Sequence, residues 1–565
     1  MSAAAQAEAR RQNLSTTTST GNDSGAATFI AQSERARPSY LVAETDASYL
    51  ELSVADLLRD CVRKAPQRLA LIVPSADGTA RTWTYQQLQT DAEQAARALL
   101  GVFKPGDRVA TWAGGSAEII LLHVGAALAG IVLVTLNPAN RASEIEYLLT
   151  QGEVRGLFLD RVFRKLDNAA VIEALKPRLP ALQSIIFMDE WTAFVTGAGD
   201  AVLPQVRADA AAMILFTSGT TGKPKGAILE HRGIVNNARL STERLQIAPG
   251  SAWLNMLPMF HVGGSVTMTL GCLSNLGTQV LLAEFSAEAM LDAIERYRVA
   301  VTMAVPTMLV AMLQSERLTR TDLSSLQVIV TGGTVVVPEL VRSVRDKTPA
   351  EVMTLFGQTE AGGCMCLTRR GDDPEKVTQS VGTPLPLSEM KIIAPERGTV
   401  VPIGEIGEIC VRTRCRMIEY FRMPEKTRET IDDEGWVHTG DLGLMRDDGY
   451  LQVTGRLKDM IIRGGENIYP REIEDALADH PAVAQAAVFG IADEKWGEQV
   501  AAAVILKPGQ HTDDEALTQF LQQRIARHKV PRLWQFVDNL PVNASGKIQK
   551  FVLRERTEAM QKVPA

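Results

Sequence analysis

Four short runs dense in β-branched and aliphatic residues, RVATWA (108–113), IVLVTL (131–136), GLFLD (156–160) and SIIFMD (184–189), are spaced by helix-length stretches. TYQQLQTDAEQAARALL (84–100) shows the intervening pattern most clearly, with apolar residues recurring at helical spacing. Parallel strands cannot be joined by a tight turn and need a crossover, which a helix supplies, so strand–helix–strand alternation predicts mostly parallel sheets covered by helices. AAMILF (211–216), VTMAV (301–305) and LQVIVT (326–331) continue the pattern. A chain of 565 residues is long enough for more than one core.

After about residue 380 the texture changes. EMKIIA, GEIGEICVRT and GLMRDDGYLQVTGR are short segments broken by Gly or Asp and read as an antiparallel β region. From Lys458 a unit of about a hundred residues follows, with strands AVAQAAVFGI and QVAAAVIL and helices after Pro470 and Asp513, a length that suits a small α+β domain. The expected organisation is therefore α/β, in three parts. Residues 1–40 form a disordered tail, 41–457 a large N-terminal domain of helix-covered sheets plus a β subdomain, and 458–565 a small, mobile C-terminal domain.

The tail is polar, carries Glu8, Arg10, Arg11 and Asp23, and lacks the apolar core of a secretory signal. Ile119–Leu136 is long enough to span a membrane, but Gly125 and Gly130 interrupt it and its composition turns β-branched after Gly130. It reads as a buried helix, a Gly stop and a core strand, with no integral membrane span. Lys plus Arg number 59 against 66 Asp plus Glu, and the net charge of -7 without a basic face argues against nucleic acid. Six cysteines in apolar segments read as reduced core residues of a cytoplasmic protein, and Cys364-Met-Cys366 lacks the second Cys/His pair a metal site needs.

At residues 217–226 the chain reads TSGTTGKPKG, directly after AAMILF and, on periodicity, leading into the helical pattern ILEHRGIVNNARL. Gly219, Gly222 and Gly226 permit tight turns that present amide N–H groups. Thr217, Ser218, Thr220 and Thr221 add hydroxyls, and Lys223 and Lys225 add positive charge. The composition is that of a phosphate cradle. It is not a Walker A loop, because Gly219 and Gly222 stand too close together and Lys223 precedes Pro224 rather than Ser or Thr.

TSGTTGKPKG resembles the phosphate signature of the adenylate-forming superfamily, which includes acyl- and aryl-CoA synthetases, peptide-synthetase adenylation domains and firefly-type luciferases. Further segments resemble that family's motifs in order: LFGQTE (355–360), HTGDLG (438–443), GRLKDMIIRGGENIYPREIE (455–474) and PVNASGKIQK (541–550). The resemblance implies ATP, Mg2+ and coenzyme A as reactants or cofactors. It implies nucleotide contacts from residues 217–223 and Lys225, from Gly333, Thr334, Phe356, Gly357, Gln358 and Thr359, and from Asp441 and Arg456 at the ribose. Glu360 would bind Mg2+, and Lys547, Glu360 and Thr221 would act in catalysis. Lys547, in an Asn-Ala-Ser-Gly-Lys turn, can bring a point charge to the reacting carboxylate and α-phosphate. Lys458 would be the hinge about which the C-terminal domain rotates, exchanging Lys547 for Arg463, Gly464, Gly465 and Glu466 on the CoA side.

NMLPMFHVGG (255–264) resembles the family's acyl-pocket segment. His261 is either a pocket residue or a satisfied core histidine, and Val262, Gly263, Gly332, Thr334, Gly357 and Cys364 complete the expected wall. The wall is small and apolar with no Arg or Lys, which favours a monocarboxylic fatty or aryl acid over a dicarboxylate. The expected reaction is formation of acyl-AMP with release of pyrophosphate, then acyl transfer to CoA with release of AMP. Alternatives are a free-standing enzyme that loads a separate carrier protein and an inactive nucleotide- or acyl-binding relative. The resemblance allows a homodimer. Two departures from the family pattern are Glu419, where Gly is common before the aromatic pair, and Thr334, where Ala is frequent.

Overall fold

A computed structural model describes residues 37–75, 77–217, 223–333, 336–464, 466–542 and 548–561. Residues 1–36 of the expected 1–40 tail, Ser218–Gly222 of the phosphate loop, Thr334, Gly465 and Lys547 lie outside the described residues, and the tail's end departs from the expectation, since Tyr40 is held as a strand residue against Lys391.

The N-terminal part holds two helix-covered sheets. In the six-stranded sheet, Arg108–Trp112, Val132–Thr135, Gly156–Leu159, Ser184–Phe187 and Ala211–Thr217 run parallel, and Lys225–Glu230 pairs antiparallel at one edge. In the nine-stranded sheet a parallel centre includes Ala252–Asn255, Val299–Met303, Val328–Gly332 and Glu351–Gln358, flanked by antiparallel edge strands. The expected α/β class therefore holds, as does the expected β region: Ser388–Ile393, Gly407–Thr413, Val437–Met445 and Leu451–Arg456 form an antiparallel sheet. A small α+β C-terminal domain has Val483–Asp493 and Gly497–Leu506 as its central strands, packed by helices Pro470–Ala478 and Asp514–Gln522.

Local chemistry explains the helices that flank these strands. Thr84 caps Tyr85–Leu100 through a capping box with Gln87. The apolar stretch Ile119–Leu136 divides as its composition requires, into the buried helix Ala117–Ala129, Gly130 at φ 67°, and the strand Val132–Thr135. Among the described residues no helix is long and apolar enough to cross a membrane.

One expectation fails. The phosphate loop does not open a helix: it joins two antiparallel strands, Ala211–Thr217 and Lys225–Glu230, and helix His231–Leu245 begins only after the second. Ile228, Leu229 and Glu230, read from the sequence as helical, are strand residues. The physical reason is the sheet edge. Lys225–Glu230 gains a ladder on one side from Ala211–Thr217 and hydrogen bonds on the other from residues 418–421, where Ile228 N–H donates to the Glu419 carbonyl and Phe421 N–H to that of Gly226. These long-range partners outweigh a local helical period.

Candidate active site

The strand Ala211–Thr217 delivers Thr217 to the mouth of the loop, where its hydroxyl donates to Glu360 Oε1 at 2.9 Å. Tyr420, itself buried, donates its hydroxyl to the same oxygen at 2.7 Å. The backbone joins the assembly as well, with Met417 N–H donating to the Glu360 carbonyl at 2.9 Å. Two segments far from Glu360 in sequence thus fix this residue, its carboxylate by side chains and its backbone by an amide. Both hydroxyl donors fall on Oε1, so a hard, half-buried carboxylate of the kind Mg2+ prefers stands beside Thr217, where the phosphate loop begins. The residues present fit that ion.

Lys225 lies next to this carboxylate with its Nζ 4.2 Å from the centre of the Tyr420 ring. Burial pulls its pKa down while Glu360 pushes it up, and the net direction is down. Lys223 is exposed, 5.7 Å from the Tyr147 ring centre, and Tyr147 donates to the Pro224 carbonyl, bracing the far end of the loop.

Asp441 and Arg456 face each other across paired strands, with Arg456 Nε 3.3 Å from Asp441 Oδ1. The turn before Asp441 is held by Glu408, which sequence reasoning missed. Glu408 Oε1 accepts from the Gly440 amide at 3.1 Å and Oε2 lies 3.0 Å from His438 Nδ1, while Gly440 adopts φ 68°. The Cys410 sulfur beside it and the Glu408 carboxylate push the His438 pKa up to about 10, so the imidazole is cationic at neutral pH. The only sequence signal for this pair was the position of His438 within HTGDLG.

The expected adenine and acyl residues gather at the ends of the nine-stranded sheet. Phe356, Gly357 and Gln358 end the strand Glu351–Gln358, Thr359 and Glu360 lie in the 3-10 turn after it, and Gly333, at φ 76°, follows Val328–Gly332. Glycine at 332 and 357 is required by the sheet itself: a Cβ at Gly332 would sit 2.2 Å from the Leu355 carbonyl oxygen, and one at Gly357 2.0 Å from that of Gly363. Asn237, a second residue that sequence reasoning missed, clamps Cys364, its Nδ2 donating to the Cys364 carbonyl at 2.7 Å and its Oδ1 accepting from the Cys364 amide at 3.0 Å. Val262 and Gly263 are buried, whereas His261 is exposed and accepts the Gly263 amide on Nδ1 at 3.1 Å. The satisfied-core alternative for His261 is thereby excluded.

The C-terminal residues are arranged differently from one another. Lys458 is exposed in the 3-10 turn Leu457–Asp459. Arg463 is buried against its own domain, donating from Nε to Gln499 Oε1 at 2.8 Å with its guanidinium 5.0 Å from the Trp496 ring centre. Gly464, at φ 61°, donates to the Trp496 carbonyl at 2.7 Å, and Glu466 is exposed.

The model described as AMP-binding enzyme matches residues 58–421, and that described as AMP-binding enzyme C-terminal domain matches residues 472–547. The chain belongs to the AMP-binding enzyme family. It is 34% identical over 545 residues to YngI of Bacillus subtilis (strain 168), a candidate acyl-CoA synthetase, across 91% of this chain and 98% of that one. To the mitochondrial medium-chain acyl-CoA ligase ACSF2 of Homo sapiens it is 34% identical over 543 residues, covering 90% of this chain and 88% of the relative. ATP-bound MatB from Rhodopseudomonas palustris superposes with a TM-score of 0.82 at 31% identity, covering 90% of this chain and all (100%) of MatB. This AMP-binding enzyme is an ATP-using acid–CoA ligase of the acyl-CoA synthetase branch.

Proposed function

We propose that the enzyme activates a medium-chain monocarboxylic acid as acyl-AMP, releasing pyrophosphate, and then passes the acyl group to CoA, releasing AMP. The observation that carries the reading is the convergence of Thr217 and Tyr420 on Glu360 beside the phosphate loop. A carboxylate fixed in advance can hold Mg2+, whose charge would offset that of the phosphates as the acid oxygen attacks. In this scheme residues 217–223 and Lys225 hold the phosphates, Thr221 among them acting at the reacting centre. Phe356 to Thr359 with Gly333 and Thr334 take the adenine, and Asp441 with Arg456 takes the ribose.

Lys547 supplies the charge that joins carboxylate and α-phosphate, on a C-terminal domain beginning at 458 that turns about Lys458. After the turn Gly464, Gly465 and Glu466 face the CoA arm. Arg463, held inside its domain, supports that segment from within.

Two findings support a monocarboxylic acid. The wall residues Val262, Gly263 and Cys364 are buried and uncharged. The buried guanidinium of Arg244, on the helix that borders this wall, is occupied by the carbonyls of Leu367, Thr383 and Pro384. The name of the human relative supports a medium chain length. Buried thiols at all six cysteines suit a reducing compartment, the cytoplasm. The test is AMP release from ATP with graded fatty and aryl acids, with and without CoA. CoA-dependent turnover of a medium-chain acid is expected. Turnover that needs an acyl carrier protein and ignores CoA would replace CoA as the acceptor.

A further inference from the structure

Beside the turn that carries Asp441, three side chains of different chemistry meet on one face of the antiparallel β sheet. Cys410 and His438 stand directly opposite each other on the paired strands Gly407–Thr413 and Val437–Met445, and Glu408, two residues before Cys410, shares their face. The two steps from Glu408 to Cys410 are matched by four from His438 to Leu442 on the other strand, so residues 439–441 bulge out between them. The bulge carries Asp441, and the three side chains stand at its root.

The Cys410 sulfur lies 3.7 Å from His438 Nδ1, Glu408 Oε2 lies 3.0 Å from the same nitrogen, and the three atoms all fall within 4.8 Å of one another. A tetrahedral Zn2+ holds N, O and S ligands at about 2.0 to 2.3 Å, which puts nitrogen about 3.4 Å from oxygen and about 3.6 Å from sulfur. Both separations from Nδ1 are met to within roughly a few tenths of an ångström. Among the described residues no other three such atoms converge. Glu408 and Cys410 are buried, whereas the His438 side chain is 29% exposed and gives an ion a route in from solvent. The far side of the ring is provided for as well. Asp432 Oδ2 faces His438 Nε2 at 3.5 Å, and Asp432 Oδ1 is pinned by the amides of Glu434 at 3.0 Å and Trp436 at 2.8 Å. A carboxylate behind a ligating imidazole fixes the ring and raises its basicity. Lys391, which pairs opposite Cys410 on the other flank, lays its ammonium on the Trp436 ring, 4.2 Å from its centre.

We propose that Glu408, Cys410 and His438 bind Zn2+ or an ion of its class, stapling the two strands at the root of the bulge. One carboxylate and one thiolate balance the charge of a divalent ion, with the imidazole neutral. Sulfur and imidazole nitrogen select this ion over Mg2+, whose preference for oxygen suits Glu360 instead. The ion takes the place of the imidazolium proton between Nδ1 and Oε2, while Glu408 Oε1 keeps the Gly440 amide. Binding therefore stiffens the turn before Asp441 without rearranging it.

The experiment titrates Co2+ into the full chain after chelator treatment, in excess Mg2+ and without nucleotide, so its outcome does not depend on the ligase reading. One Co2+ per chain is expected, with a thiolate-to-cobalt charge-transfer band in the near ultraviolet that added Zn2+ removes by displacement. Cys410→Ser should abolish the band, the remaining cysteines being buried away from it. His438→Gln and Asp432→Asn should each weaken Zn2+ roughly tenfold or more. Zn2+ should also raise the thermal midpoint of the wild type and leave that of His438→Gln unmoved. Because His438 is partly exposed, His438→Gln gives an independent reading should Cys410→Ser fail to fold. A wild type without the band, a band that survives Cys410→Ser, or Zn2+ affinity unchanged in His438→Gln would overturn the metal site and leave Glu408 and His438 as an ion pair alone. Unchanged affinity in Asp432→Asn would overturn the orienting role of that carboxylate.

Discussion

At the scale of single residues, chemistry depends on how tightly a few charged groups are held. Glu360 accepts two hydroxyls and its backbone is tied by Met417. Glu360→Gln should therefore lower the rate of acyl-AMP formation roughly a hundredfold, measured as acid-dependent exchange of pyrophosphate into ATP, while Tyr420→Phe, which removes one orienting donor, should cost less. His438 gives a pH effect whose sign follows from its raised pKa. The folded protein keeps the imidazolium proton up to about pH 10, whereas the unfolded chain loses it near 6.5. Between those values the native state binds more protons, so stability is full below about pH 6.5 and declines as pH rises towards 10. Allowing for solvent screening, the decline should be about 1–2 kcal/mol, read as a fall in thermal midpoint, and Glu408→Gln should flatten it. The carboxylates proposed for the nucleotide site, Glu360 and Asp441, could be picked out from their motifs. Tyr420, Asn237 and Glu408 were not, because each acts through a partner 60, 127 or 30 residues away, and no local pattern records that pairing.

At the scale of elements, the turn that carries Glu360 is closely packed against a distant segment. Gly362 has φ 85°, and a Cβ there would stand 2.0 Å from the Cys415 carbonyl oxygen, which belongs to the segment holding Glu360. Gly362→Ala should destabilise the fold by about 3 kcal/mol in chemical denaturation and depress adenylation in the same variant, since the strain can be relieved only by parting those two segments. Element types along the chain were readable wherever composition and period agreed, as in Ala117–Ala129 and its Gly130 stop. They were misread after the phosphate loop, where Ile228 to Glu230 fit a helical period but are recruited as a strand by partners on both flanks. The departure at Glu419 belongs to the same place. Its side chain is exposed and only its carbonyl is used, so the sheet edge tolerates it.

At the scale of the whole molecule, the proposed mechanism would have its two half-reactions use two arrangements of the C-terminal domain about Lys458. Lys458→Pro, which locks φ at the expected pivot, should leave acyl-AMP formation within about threefold of normal and slow thioester formation from supplied acyl-AMP by tenfold or more. Single-turnover measurement of each half separates the two. Equal loss in both would refer the effect to folding instead. The succession of parallel sheets, β subdomain and small α+β unit was visible in the sequence because each part keeps its own texture over many residues.

The cover that residues 418–421 lay along Lys225–Glu230 has a bearing on solubility. A strand with an unpaired flank offers its amides and carbonyls to any extended chain, including another copy of itself. Here Ile228 and Gly226 spend those groups on Glu419 and Phe421. The same short segment that orients the Glu360 carboxylate through Tyr420 thereby withholds this edge from aggregation, and under the proposed role of Glu360 a lesion in it would be felt both as lost turnover and as protein that comes out of solution.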